Sequence, residues 1–174
     1  MKKIDFPDLR QTYEYDCGPK VLQSVLVYYG INLRQELLIK KAGTSKLEGT
    51  SIKSMLNVLN HYKLKTDSGI MNIKKIKKYV KKNVPVILLL QAWSTKKIDY
   101  SKSFNFGHWV VAIGYNKNKI IFEDPYSFNR TFLTHKELNL RWHGKDNGKK
   151  FFNYGIAVYG KKPEYKSKKI IPMN

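Results

Sequence analysis

The spacing of apolar residues changes character after residue 83, and this change constrains the fold more than any other feature of the chain. Between Gly18 and Tyr29, Leu22, Val25, Leu26 and Tyr29 recur at the interval of one buried helical face, and Gly30 follows as a stop. Ser51 to Tyr62 repeats the pattern through Ile52, Met55, Leu56 and Leu59, with Thr50 or Ser51 as N-cap. Asn72 to Lys82 places Ile73, Ile76 and Val80 on one side of a third helix and six lysines around the rest. Val84 to Trp93 is instead continuous and β-rich, entered through Pro85 as a buried strand would be. Gly107 to Tyr115 and Lys119 to Asp124 read as two strands of a hairpin across Asn116 to Asn118. Thr134-His135-Lys136-Glu137 is a capping box opening a short helix, and Gly155 to Gly160 is a last strand. Helices first and antiparallel strands second make an α+β plan: an N-terminal helical half packed on a C-terminal antiparallel sheet, with a cleft between them.

At 174 residues the chain is about one domain on the usual prior of roughly 150 residues. Residues 1–160 are read as that domain and 161–174 as a flexible basic tail. Lys2 and Lys3 resemble the start of a signal peptide, but Asp5, Pro7 and Asp8 interrupt the apolar run that should follow. The strongest apolar stretch, Val84 to Leu90, falls far short of the roughly 20 residues that span a bilayer. A soluble protein of a reducing compartment, the cytoplasm, is therefore expected, with export by a signal-independent route left open. A single cysteine, Cys17, excludes an internal disulfide framework.

Charge is the outlier. Lys and Arg number 33 against 13 Asp and Glu, a net charge of +20, which invites a nucleic-acid or anionic-membrane reading. Yet only Arg10, Arg34, Arg130 and Arg141 are arginines, and base readout and bidentate phosphate recognition favour Arg. The lysines of residues 72–82 are simplest as a solvated face. No specific nucleic-acid partner is expected; weak attraction to anionic surfaces, or to an acidic substrate, stays open.

The chemistry gathers around Cys17, in the run Gln11-Thr-Tyr-Glu-Tyr-Asp-Cys17-Gly18-Pro19. Helix N-terminal amides favour negative charge, which suits a thiolate nucleophile. Gly18 removes a side chain beside the sulfur so that a substrate backbone could approach, and Pro19 fits the first helical turn without losing a needed donor. A thiolate needs a proton acceptor that later serves as an acid, and His is suited to both steps near neutrality. His108 stands at the start of a strand, on the face shared with Val110, Ala112 and Gly114, whereas His61, His135 and His143 have no such setting. Asp124 is the natural partner for its other nitrogen. With a three-residue loop, Tyr115 would face Lys119 and Asp124 would face Val110, making His108 its diagonal neighbour at roughly 7–8 Å. A four-residue loop would put the two on opposite faces. Gln11, six residues before Cys17, could join the Cys17 amide as an oxyanion donor.

Gln11-x5-Cys17-Gly18-Pro19, His108-Trp109-Val110-Val111 and Asp124-Pro125, in this order, resemble the motifs of the C39 peptidases, papain-like cysteine peptidases best known for processing bacteriocin leader peptides. The resemblance runs from about Gln11 to Tyr159. It implies a papain-like fold with Cys17 as nucleophile, His108 as general base and acid, Asp124 as its orienting partner and Gln11 as oxyanion donor, and it implies a peptide or protein substrate, cut after Gly-Gly in a leader peptide. No metal or organic cofactor is required. Family members are often fused to an ABC transporter, an arrangement from which this chain departs.

Rival readings share the same residues. An acyl transferase or deamidase would use the same triad with a different acceptor, and a catalytically silent basic module would bind nucleic acid or anionic surfaces. A zinc site of Cys17, His135 and His143 is disfavoured by the lack of any short ligand spacing. Trp93, Trp109 and Trp142 are expected in the core. Trp109, with Gly18, is a candidate for substrate contact, and the polar stretch from Ser94 to Phe106 is a candidate for the cleft wall.

Overall fold

The computed structural model describes residues 1–173. Five helices, α1 (Cys17–Tyr28), α2 (Gln35–Lys41), α3 (Ile52–His61), α4 (Ile73–Lys81) and α5 (His135–Arg141), accompany nine strands. The strands are β1 (Lys2–Lys3), β2 (Lys65–Ile70), β3 (Val86–Gln91), β4 (Gly107–Tyr115), β5 (Lys119–Glu123), β6 (Thr131–Thr134), β7 (His143–Asp146), β8 (Lys149–Phe152) and β9 (Tyr154–Tyr159). A seven-stranded sheet runs in the order β2-β9-β3-β4-β5-β6, with β1 beside the far end of β4, and β7 and β8 form a separate hairpin. Every pairing is antiparallel, giving the expected α+β plan. The N-terminal half is not purely helical, because β1 and β2 cross into the sheet.

The core follows from the periodicities. Val21, Leu22, Val25 and Leu26 of α1 are fully buried, and α1 packs against β4 with α2 and α3 alongside. β3 is buried along its whole length between β9 and β4, as its unbroken apolar run requires. Ser51 caps α3, Asn72 caps α4, and Thr134 with Glu137 forms the capping box of α5. The lysines of α4 are not all solvated: Lys75 pairs with Asp67 at 2.8 Å, and Lys77 donates to the Asn116 carbonyl at 3.0 Å. The basic tail is also engaged, since Glu164 and Tyr165 donate to the Tyr28 carbonyl and Ser167 donates to Asp5.

The β4–β5 hairpin departs from the three-residue register at its turn. Tyr115 faces Ile120 and Gly114 faces Ile121, the pairing of a four-residue loop, which by alternation would send His108 and Asp124 to opposite faces. The register then shifts: Ala112 faces Phe122 and Val111 faces Glu123, so Ile113 is an extra residue in β4. This bulge cancels the turn's offset and restores the face that His108 and Asp124 share. β1 seals the irregularity, with the Ile4 amide donating to the Ile113 carbonyl at 2.8 Å. Gly114 is needed there because a Cβ would lie 2.9 Å from the Lys2 carbonyl oxygen and 3.3 Å from Ile121. Gly114→Ala should therefore destabilise the fold by about 1–3 kcal/mol through overpacking, read as a lower midpoint in urea denaturation.

Candidate active site

Three segments distant in sequence meet at the start of α1. Cys17 is the first residue of that helix and His108 the second of β4, and Asp124 directly follows β5. All three are largely buried. His108 Nε2 lies 2.8 Å from Asp124 Oδ1, which leaves Nδ1 as the nitrogen available to Cys17. Burial alone would push the imidazole down. Hydrogen bonds and charge interactions with Asp124 and Cys17 override burial and push it up to about 9. Asp124 is held below the usual carboxylate range: burial opposes this, but the bond and charge of His108, the Tyr126 amide and the Thr131 hydroxyl outweigh it.

The Asp124 carboxylate is surrounded by donors. Oδ1 takes His108 and, at 3.1 Å, the Tyr126 amide. Oδ2 takes the Thr131 hydroxyl at 3.2 Å and the indole N–H of Trp93 at 3.1 Å. Trp93, expected in the core, is 41% exposed and stacks on Tyr126. Trp142 is buried as expected.

Glu123, one residue earlier on β5, faces away and organises the N-terminal segment. It is 1% exposed and accepts from the Leu9 amide and from Arg10, and it is paired with Arg130, which also donates to the carbonyls of Phe6 and Pro7. The chain is thereby delivered to Gln11, whose amide donates to the Pro125 carbonyl at 2.9 Å. Gln11 Nε2 donates to the Tyr13 carbonyl at 2.8 Å, and Oε1 is buried with no partner among the described residues. Gln11 thus joins the Asp124–Pro125 end of the site through its backbone.

Asp16, immediately before Cys17, escaped the sequence reading. It is fully buried, accepts from the amides of Thr12 and Tyr13 at 3.2 and 3.1 Å, and takes Gln35 Nε2 as well. Its carboxylate therefore folds the 11–16 loop back against α1 instead of capping the helix. Its position beside Cys17 was the only signal.

Gly18 and Trp109 both lie against Thr50. Trp109 is 3% exposed and spends its indole N–H on the Thr50 carbonyl at 3.1 Å, so it supports the 43–51 loop from inside and does not border an open cleft. A Cβ on Gly18 would lie 2.4 Å from Thr50 Oγ1; the room it makes is filled by Thr50. Two cavities open nearby. One of about 470 Å³ lies between residues 43–54 and the β7–β8 hairpin, and the other, about 520 Å³, is lined by Asp124, Trp93, Ser94, Tyr100 and the apolar floor of Leu90, Val110 and Phe122. His143 is buried against Phe104 and bonded to the Ser103 carbonyl, and His61 and His135 lie elsewhere.

The model of the Peptidase_C39 like family matches residues 3–147. The chain belongs to that family. Solved structures agree on its papain-like α+β fold. The peptidase domain of Streptococcus ComA, a bi-functional ABC transporter involved in quorum sensing, is 22% identical, with a TM-score of 0.67 over 91% of this chain and 98% of that one. A double glycine motif protease from an AMS/PCAT transporter, solved with the leader peptide, is 19% identical, with a TM-score of 0.66 over 94% of this chain and 95% of that one. A protein from Bacillus anthracis described as C39-like is 16% identical, with a TM-score of 0.69 over 94% of this chain and all of the other. No curated protein matches the chain in sequence. Among the described residues no helix is long and apolar enough to cross a membrane.

Two outcomes follow for this C39-like domain. The folded value of His108 lies above its ordinary 6.5, so the stability contributed by its charged pairing is complete below about pH 6.5 and is lost as pH rises through about 9. Urea denaturation between pH 6 and 10 should show that decline in the native protein and a weaker one in Asp124→Asn. Glu123→Gln removes the buried countercharge of Arg10 and Arg130 and leaves them only the exposed Asp8; it should cost roughly 1–3 kcal/mol, measured in the same way.

Proposed function

We propose that this chain is a cysteine peptidase that cleaves a peptide by acyl-enzyme chemistry at Cys17, His108 and Asp124. The observation that carries the reading is the pairing of a buried His108 with Asp124 at 2.8 Å, with the imidazole pushed up to about 9 by Asp124 and Cys17 together. An imidazolium stable across neutral pH is the partner a thiolate requires, and it is already the acid that the leaving amine needs.

In the first half-reaction Cys17 Sγ attacks the substrate carbonyl and forms a tetrahedral oxyanion. The Cys17 amide, one of the unpaired N–H groups at the start of α1, faces that oxygen, and Gln11 supplies a second donor through the amide hydrogen it does not give to Tyr13. His108 passes its proton to the leaving nitrogen, the C–N bond breaks, and a thioester remains on Cys17. Water then gives a proton to His108 as it attacks the thioester, the C–S bond breaks, and a free carboxylate departs. Asp124 holds the ring through both halves.

The PCAT protease is named for a double glycine motif and was solved with its leader peptide, which supports a peptide carrying Gly-Gly ahead of the cut. Purified protein incubated with such peptides should release new termini after Gly-Gly by mass spectrometry. Cys17→Ala should lower the rate on the order of 10⁴-fold or more, and Gln11→Ala about 10²- to 10³-fold. Cleavage undiminished in Cys17→Ala would refute the reading, and a new amide in place of a free carboxylate would make the protein an acyl transferase.

A further inference from the structure

The geometry points to Trp93 as a positioning residue that acts on the reaction through Asp124. The inference rests on the proposed chemistry of Cys17, His108 and Asp124. Trp93 lies two residues beyond β3 with φ at +62°, a left-handed conformation that is a genuine outlier for a bulky residue. Such a backbone persists only where the surroundings over-determine it. Here they do: the Ala92 amide donates to the Phe106 carbonyl at 3.0 Å, and the Ser94 amide donates to the Tyr100 hydroxyl at 2.9 Å. The chain is pinned on both sides of Trp93, and the turn between the pins delivers the indole to Asp124.

The indole has one polar atom, and it is used. Its N–H donates to Asp124 Oδ2 at 3.1 Å, while Oδ1 faces His108. The carboxylate is therefore fixed from its far side in the rotation that aims Oδ1 at the imidazole. Tyr126 completes the arrangement: its amide holds Oδ1, its ring stacks on the indole at 4.6 Å, and its edge meets the His108 ring at 6.5 Å and 86°. A strained backbone holding a half-exposed tryptophan would be wasteful in a purely structural role, because the core takes up Trp109 and Trp142 without such strain. The same indole also walls the 520 Å³ cavity beside Asp124, so a role in substrate contact alone is the competing outcome.

The test reads the reactivity of Cys17 toward iodoacetamide near pH 6.5, which needs no substrate. Asp124→Ala should slow alkylation at least about tenfold, because the imidazolium that supports the thiolate loses its partner. Trp93→Phe keeps the stacking ring but removes the N–H and should slow alkylation by roughly three- to tenfold in the native background, with no further loss in Asp124→Ala. Trp93→His returns a ring N–H to nearly the same position and should recover most of the native rate; should Trp93→Phe fold poorly, it carries the comparison in both backgrounds. Native reactivity in Trp93→Phe, or the same loss with and without Asp124, would overturn the inference and leave the peptidase reading standing. Native reactivity in Asp124→Ala would remove the peptidase reading itself and Trp93's role with it.

Discussion

A strand side chain has only two directions open to it, so the hydrogen bond between His108 and Asp124 requires β4 and β5 to meet in one register, while the turn that joins them imposes the other. The extra residue at Ile113 reconciles the two. A bulge of this kind bends its strand and leaves backbone groups without ladder partners. Here β1 covers the irregular stretch, pairing Lys2 and Lys3 with Tyr115 and Gly114. A two-residue strand at the very start of the chain thus secures a geometry that is expressed at the other end of β4. The close approach of Lys2 explains why residue 114 has no side chain.

Adjacent carboxylates at the end of β5 divide the remaining work by strand alternation. Glu123 is buried on one side and neutralised by Arg10 and Arg130, binding residues 6–10 to the sheet. Asp124 is buried on the other and neutralised by His108. Neither burial is tolerable without its cationic partner, so the N-terminal segment and the His–Asp pair are fixed together. That coupling brings the backbone of Gln11 to Pro125. On the opposite wall Asp16 gathers the loop amides just before Cys17. Trp93 adds a backbone conformation that costs on the order of 1–3 kcal/mol, an expense concentrated beside Asp124.

The sequence disclosed elements long enough to show a period and residues that stand at their ends. α1, α3 and α4 carry apolar faces over two to three turns, and β3, β4 and β5 are apolar enough to be recognised. Cys17, His108 and Asp124 stand out in the sequence because each lies at or next to the end of such an element. α2 spans only seven residues, too few for periodicity to register. β2 is an edge strand of polar composition, paired with β9 alone, and its alternation is hidden by Asp67, Ser68 and Gly69. The β7–β8 hairpin turns at Asn147-Gly148, both at positive φ, a turn signal masked by its charged neighbours. The shared face of His108 and Asp124 was legible, but through two offsets that cancel. Asp16 looks like an ordinary N-cap, and Trp93 like an ordinary core aromatic, because the loop conformations that redirect them leave no periodic trace.

Within a buried site, Asp124 and Cys17 keep His108 positively charged well beyond the range of a free histidine. Titration of the His108 ring nitrogens by NMR in the native protein tests it most directly. A midpoint near 9 is expected, falling when Asp124 is replaced by Ala. A midpoint at the ordinary 6.5, unmoved by loss of Asp124, would contradict it.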